Sequence, residues 1–572
     1  MPHRFMKTLT APSIALFALV MLLIGFAAHR PAAAQTTHTV TSLDDAGAGT
    51  LRDALAAANA GDEIRFDDAL AGQTLTLTSG ALSIERDVIL AGPGMDALSI
   101  SGNGASRVIA VQAGVKATLS DLTLRDGYAT DIGGCIWVGQ GADLTLNRTR
   151  ITGNRALDNG GGVYIHSAAT LLIADSEILD NEAGGDFSPN GGGIYNAAGT
   201  VRIERSTVSG NRSTRGGGIW NASAGTMTIH ASTISGNTAD NEGGGIYNNK
   251  RLTITSSTVS GNTAAQDAGG IRNRGGDTLA VVNSTISGNA SGRTGGLMNA
   301  DFGTTVLRNS TVVDNRSGFP GAGIWNGEDA KTFLYSTIVA SNLAEGDVLS
   351  DLIDQRLTGI GIVSQGFNFI SNSDPDARVN ARNVFIPLAS DLVGSAFFPR
   401  NPFLHPLADN GGPTLTHRPQ AASILIDNGD CQRTGFDVDQ IGGPRLVDIP
   451  GDVFSNASDG CDIGAVEASL SVALPVEDQD RPIPMEALLT PAYPNPFAHA
   501  TRLKLTLTFE QDVTIALHDA LGRQVRSLHA GRLQAHIPYV FDIEVGDLAG
   551  GVYVVTAAGE AFRVSRPVIL LK

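Results

Sequence analysis

Seven copies of a short phrase pace the middle of the chain. They are Ile151-Thr152-Gly153-Asn154, then Ile178 to Asn181, Val208 to Asn211, Ile234 to Asn237, Val259 to Asn262, Ile286 to Asn289 and Val312 to Asn315. Their Asn residues stand 27, 30, 26, 25, 27 and 26 positions apart. A second phrase keeps the same beat, from Gly191-Gly192-Gly193-Ile194-Tyr195-Asn196 through Gly216–Asn221, Gly243–Asn248, Gly269–Asn273 and Gly295–Asn299 to Gly321–Asn326. A fixed period of about 20 to 50 residues marks a solenoid or propeller, built from units too small to bury a core alone.

One repeat parses as three short strands. In Gly243–Asn262 these are Gly245-Ile246-Tyr247-Asn248, Leu252-Thr253-Ile254-Thr255 and Ser257-Thr258-Val259-Ser260. Each alternates apolar with polar residues, the period of a strand with one buried face. The Gly runs and Gly-Asn pairs between them supply positive φ angles for tight corners. Three strands and three corners make one coil of a right-handed parallel β-helix, an all-β fold. Coils stack roughly 4.8 Å apart, so like lies over like. Ile246 is expected between Ile219 and Ile271, and Asn237, Asn262 and Asn289 in an amide ladder. A leucine-rich repeat is excluded by the Gly triplets, which forbid its helix, and a calcium-binding β-roll by the lack of its nine-residue beat. About ten coils, roughly 50 Å of rod, are expected at that spacing.

Residues 1–34 read as an export signal: Arg4 and Lys7, an apolar run from Ile14 to Phe26, and a small-residue cleavage site with Ala34 before Gln35. No segment after it is long and apolar enough for a membrane helix. Removing the signal takes Arg4, Lys7 and Arg30 from a chain of net charge −17 and leaves −20. Such an acidic chain argues against nucleic acid and anionic membranes as partners. Of three Cys, Cys431 and Cys461 lie in one loop-rich stretch of an exported chain and are expected to form a disulfide. Cys135 reads as a small core residue. No Cys/His set has metal-site spacing.

The chemistry-bearing candidates sit at corners. Asp158, Asp186, Asp240, Glu242 and Asp267 precede the Gly triplets, with Arg215 and Arg293 interleaved. Stacking would bring Asp240, Glu242 and Asp267 within reach of one another. A lyase would need such acids for calcium and a nearby base, a glycosidase two carboxyls about one to two coil rises apart. Alternating Asp and Arg along a stack also relieves like-charge repulsion, so the favoured reading is structural: no catalytic residue, no cofactor, and calcium only as the ion these acids would take. Tyr195, Trp220, Tyr247 and Trp325 each follow Ile in the same strand, so alternation turns them outward as a spaced, exposed aromatic row able to stack on sugars. The favoured function is contact with another surface, adhesion or polysaccharide binding. The alternative is a polysaccharide lyase or glycoside hydrolase.

The remaining phrases assign regions. Residues 35–126 are the cap and first coils. Within them Gly49-Thr50-Leu51-Arg52-Asp53-Ala54-Leu55 opens a short amphipathic helix with Leu51, Leu55 and Ala58 on one face. With the Gly-Gly-Gly-Ile-Tyr-Asn repeats of residues 127–345, this stretch resembles exported bacterial β-helix proteins carrying polymorphic-membrane-protein-like repeats. From 346 to 468 the beat breaks into phrases such as Asp409-Asn410-Gly411-Gly412-Pro413, Asp439-Gln440-Ile441-Gly442 and Cys461-Asp462-Ile463-Gly464. They resemble a choice-of-anchor domain that would wrap the last coils. Residues 469–487 read as a Pro- and acid-rich linker. In residues 488–572, Tyr493-Pro494-Asn495-Pro496-Phe497, Leu521-Gly522-Arg523 and Gly550-Gly551-Val552-Tyr553 resemble the C-terminal sorting domain of the type IX secretion system. Strand candidates at Arg502–Thr508, Val513–His518, Val540–Ile543 and Val552–Thr556 suggest a small antiparallel sandwich. That resemblance implies the type IX machinery as partner and the bacterial outer surface, or the medium beyond it, as destination.

Overall fold

The computed structural model describes residues 35–222, 224–356, 359–374, 385–421, 423–431, 437–445, 447 and 459–468. In the tail it describes 487–489, 492, 495–507, 510–519, 523–534, 537, 539–544, 546, 548–559 and 563–571. The signal with its Ala34–Gln35 junction begins outside these residues, as do nearly all of the linker and Tyr493 and Pro494. Contacts divide the chain into two units, Met1–Leu474 and Pro475–Lys572.

The first unit is a parallel β-solenoid. Its broadest sheet contains 24 strands. They form two ladders of 13 rungs, joined where Lys116–Arg125 and Asp143–Thr152 run through both. The expectation of ten coils is therefore short. Thirteen rungs at roughly 4.8 Å give about 60 Å, because the cap region 37–125 itself winds as full coils that lack the repeated phrase.

The register follows the sequence beat. Ile246 lies between Ile219 and Ile271, as expected. A coil nevertheless has four strands rather than three. For the parsed repeat they are Ile246–Asn248, Arg251–Thr255, Thr258–Ser260 and a two-residue piece, Thr263–Ala264, in a narrow third sheet. This last strand holds too few residues to show alternation.

Two kinds of corner bend the coil. Between the two ladders stands one left-handed residue per coil: Asp121, Arg148, Asp175, Arg205, Ala231, Ser256, Asn283, Asn309 and Ser336, with φ from 42° to 57°. Four of the nine are Asp or Asn, which tolerate that conformation; the other five are not residues that favour it. From Asp175 to Asn309 a serine follows and holds it: Ser206, Ser232, Ser257 and Ser284 each donate to the carbonyl two residues back, at 2.6 to 2.7 Å. Each of these serines also accepts the backbone N–H of the serine one coil earlier. At the Gly-triplet corner the coils approach so closely that a Cβ on Gly217 would lie 2.4 Å from the Thr238 carbonyl, and one on Gly244 2.3 Å from that of Thr263.

Inside, aliphatic columns such as Ile194, Ile219, Ile246, Ile271, Leu297 and Ile324 are fully buried. Two amide columns flank them. From Asn154 to Asn342 each Nδ2 donates to the Oδ1 of the next coil's Asn at 2.8 to 3.0 Å. The column ends on the Asp351 carboxylate, 2.9 Å from Asn342 Nδ2. A second column, from Asn196 to Asn326, ends on Asp354. The N-terminal helix, Leu51–Ala57, is capped by Thr50 and buries Leu51 and Ala54. Ala58 is buried just past its end, while Leu55 packs only partly.

The second unit has two antiparallel sheets around one core that includes Leu505, Ile515, Ile543, Val555 and Val568. All four expected strands are present. So are Ala487–Leu489, Gln524–Leu533 and Arg563–Leu570. Phe497 donates to the Ile569 carbonyl (2.9 Å) and accepts from the Leu571 N–H (2.8 Å), and Asn495 Oδ1 accepts from the Ile569 N–H (2.7 Å). The opening phrase thus holds the last strand.

Candidate functional site

The aromatic residues form part of one column on the second, 11-stranded sheet. In register they read Trp137, Tyr164, Tyr195, Trp220, Tyr247, Arg272, Met298 and Trp325. Tyr164, Tyr195, Trp220 and Tyr247 stack nearly parallel, with centroids 5.2, 6.2 and 4.1 Å apart. The spaced, exposed row expected for sugar stacking therefore needs correction at two points. Tyr247 points outward but is only 2 % exposed, because Trp220 covers one ring face and Arg272 follows it in register on the other side. The rings of Tyr195 and Trp220 present edges to solvent, since their faces meet neighbouring rings. Trp325 differs: its register neighbours are Met298 and Ile353, and it is half-exposed. Trp137 and Tyr164 were missed, although Gly160-Gly161-Gly162-Val163-Tyr164 repeats the marker with Val for Ile.

The acidic corner is charge-matched. Asp240 accepts from Arg212 Nη2 at 2.6 Å. Glu242 and Asp267 lie opposite one another on adjacent coils. Glu242 sits 3.6 Å from Arg272 Nε, and Asp267 3.4 Å from Arg293 Nε. Arg272 and Arg274 both reach Asp301, at 3.2 and 3.0 Å. The structure thus brings Glu242 and Asp267 together, while Asp240, in the bulge between Ala239 and Glu242, turns to Arg212. Burial pushes the Asp267 carboxyl above the usual carboxylate range, opposed by Arg293 and Arg272. Charge alternation recurs at the ladder corner, where Arg148 and Arg205 each grip the Asp of the previous coil, Asp121 and Asp175, through two bonds of 2.6 to 2.7 Å.

The described residues between 404 and 468 fold back on the rod as a strap. Cys431 and Cys461 form the expected disulfide, Cα atoms 6.0 Å apart. With Glu467 they make the one close group of metal-type donors among the described residues, but both sulfurs are committed to the bond. Cys135 is buried. Gln440 and His417, which no spacing argument singled out, fasten the strap. Gln440 Nε2 donates to Thr258 and Thr414 Oγ1 at 2.9 Å, its Oε1 accepts from Thr285 Oγ1, and His417 Nε2 lies 2.8 Å from Ser287 Oγ.

Three family matches follow this architecture. Residues 95–234 match the right handed beta helix region, and residues 231–249 the Chlamydia polymorphic membrane protein repeat. Residues 491–570 match the secretion system C-terminal sorting domain, spanning Asn495, Phe497, Gly551 and Tyr553. The rod is a right-handed β-helix, and the tail is a sorting domain. A comparison with curated proteins finds no match. The sorting domain makes this a secreted or cell-surface β-helix protein. No helix among the described residues is long and apolar enough to cross a membrane.

Proposed function

We propose that this β-helix protein is delivered by the type IX machinery to the bacterial outer surface and acts there by contact, as an adhesive or polysaccharide-binding rod without catalytic residues. One observation supports the reading above others: all three candidate carboxylates, Asp240, Glu242 and Asp267, face guanidinium groups of the same or neighbouring coils. Such a corner is electrostatically settled, whereas a calcium-dependent lyase needs an excess of negative charge. Trp325, on which no aromatic ring is stacked among the described residues, is the best-placed sugar platform of the column. A glycan array is the test. Binding by the wild type, abolished by Trp325→Ala and retained by Trp220→Ala, is expected; equal binding by both variants and the wild type would remove the platform.

One observation favours a second reading. Glu242 and Asp267 lie opposite one another on adjacent coils, and a half-buried carboxyl raised by burial beside a second carboxylate resembles the pairing of a retaining glycosidase. Incubation with plant and algal polysaccharides, with and without calcium, separates the two. New reducing ends or unsaturated products, lost in Asp267→Ala, would establish the enzyme in place of the binder.

A further inference from the structure

A solenoid has strand edges at its ends, each a row of unpaired backbone groups unless something covers it. Leu82–Ile84 is the first strand of the 11-stranded sheet and pairs on one side only, with Ile109–Val111. That pairing fixes which way each residue faces. The Leu82 N–H donates to the Val108 carbonyl, and the Ile84 carbonyl accepts from the Gln112 N–H. Ser83, between them, therefore turns its own N–H and carbonyl to the opposite, unpaired side. No described residue bonds either group. Leu82-Ser83-Ile84 also carries no charge and no Pro, two usual guards of such an edge.

Beside that edge lies the helix Leu51–Ala57, fastened to it by an arginine at each end. Arg52 donates to the Gly80 and Ala81 carbonyls, at 2.8 and 3.1 Å, just before the strand. Arg86 Nη1 donates to the Ala56 and Ala58 carbonyls, both at 3.2 Å, just after it. Helix and strand thus run the same way without closing on one another. A cleft of about 310 Å³ remains, lined by Leu55 and Ala56 from the helix and by Ser83 and Glu85, with Arg52 and Arg86 at its two ends. Gln112 Nε2 donates to Ser83 Oγ at 2.9 Å and holds that residue in place. The charges of the cleft cancel: Asp45 accepts from Arg52 Nη2 at 2.7 Å, and Glu85 and Arg86 offset one another. In a chain of net charge −17, a neutral cleft against an open strand edge suits an uncharged extended peptide better than a cation or an anionic glycan.

We propose that this cleft is a peptide-binding site, in which an extended, uncharged segment of another polypeptide adds a strand to Leu82–Ile84, bonds the Ser83 N–H and carbonyl, and seats one apolar side chain against Leu55. Strand addition draws its affinity from main-chain bonds and its specificity from pockets for alternate side chains. The two arginine ties hold the cleft open before the peptide arrives, which lowers the ordering cost of binding. Leu82–Ile84 begins its sheet, whereas Trp325 lies near the sheet's other end, so this site and the sugar platform can be tested apart.

Selection of a displayed library of random heptapeptides on the full chain tests the site, with the enriched peptide then measured by fluorescence anisotropy. Peptides of alternating apolar residues should be enriched, and the bound peptide should protect the Ser83 amide from hydrogen exchange. Ser83→Pro, which removes the outward N–H and is tolerated on an edge strand, should weaken binding about tenfold or more. Ser83→Ala, which keeps that N–H, should bind as the wild type does. Leu55→Trp fills the cleft from the helix side; it should abolish binding, and it serves if Ser83→Pro does not fold. No enriched peptide, wild-type binding by Ser83→Pro or Leu55→Trp, or a Ser83 amide left unprotected by the bound peptide would overturn the proposal. A Ser83 amide protected in a dimer of the chain with no peptide present would also overturn it, by making a second copy the occupant.

Discussion

Asn237 accepts both the side-chain and backbone N–H groups of Asn211, and donates to Asn262 and the Val208 carbonyl. Asn237→Ala leaves the Asn211 backbone N–H buried with no acceptor, so chemical denaturation should show a loss of about 1–3 kcal/mol. Asp351, where this column ends, is fully buried and pushed up to about 6. It accepts from Asn342 on one oxygen and from Ser371 and the Asn372 N–H on the other. The folded state therefore holds a proton there that the unfolded chain releases near pH 4. Stability should fall by about 3 kcal/mol as pH rises from roughly 4 to 6, then level off. Thermal melts across that range should show the slope in the wild type and its absence in Asp351→Asn. That variant pays with the lost acceptor for Asn372.

At the scale of one coil, the sequence disclosed what recurs and concealed what does not. The Ile and Asn columns were legible because a stacked coil repeats its chemistry at a fixed period. The fourth strand, Thr263–Ala264, was illegible because two residues cannot show alternation. The ladder corner was missed because its left-handed residue varies from Asp to Arg to Ala, while the serine that holds it is common elsewhere. Tyr247 followed the alternation rule and still came out buried, since that rule fixes direction and says nothing of what lies on the next coil. Glu242 and Asp267 were correctly placed together, but Arg272 had no spacing signal of its own. The Gly-triplet corner is the most demanding element. In Gly244→Ala the new Cβ would meet backbone at 2.3 Å, and no side chain can rotate away. Its cost should exceed that of Asn237→Ala in the same denaturation series, with soluble yield falling.

For the whole molecule, the strap was the least legible part because its contacts to the rod join positions some 90 to 180 residues apart, such as Ser336 with Asp430, Ser287 with His417 and Thr258 with Gln440. The disulfide was an exception, since Cys pairs declare themselves by compartment and number. It closes 30 residues of sequence separation. Cys461→Ser should cost roughly 3.5 kcal/mol by the chain-entropy account. Limited proteolysis should then cut the strap while the coils resist, the rod carrying its own hydrogen bonds. Simultaneous digestion of both would mean that the two form one cooperative unit.

Between Asn154 and Asn342 each coil meets the next through the same amide bonds, so that ladder does not register which neighbour a coil has. A whole period such as Arg212–Asn237 can be dropped or duplicated with the amides, serines and aliphatics re-forming across the join. The length of the rod is then a matter of gene duplication: evolution can lengthen or shorten it in steps of about 4.8 Å without redesigning the coils that remain.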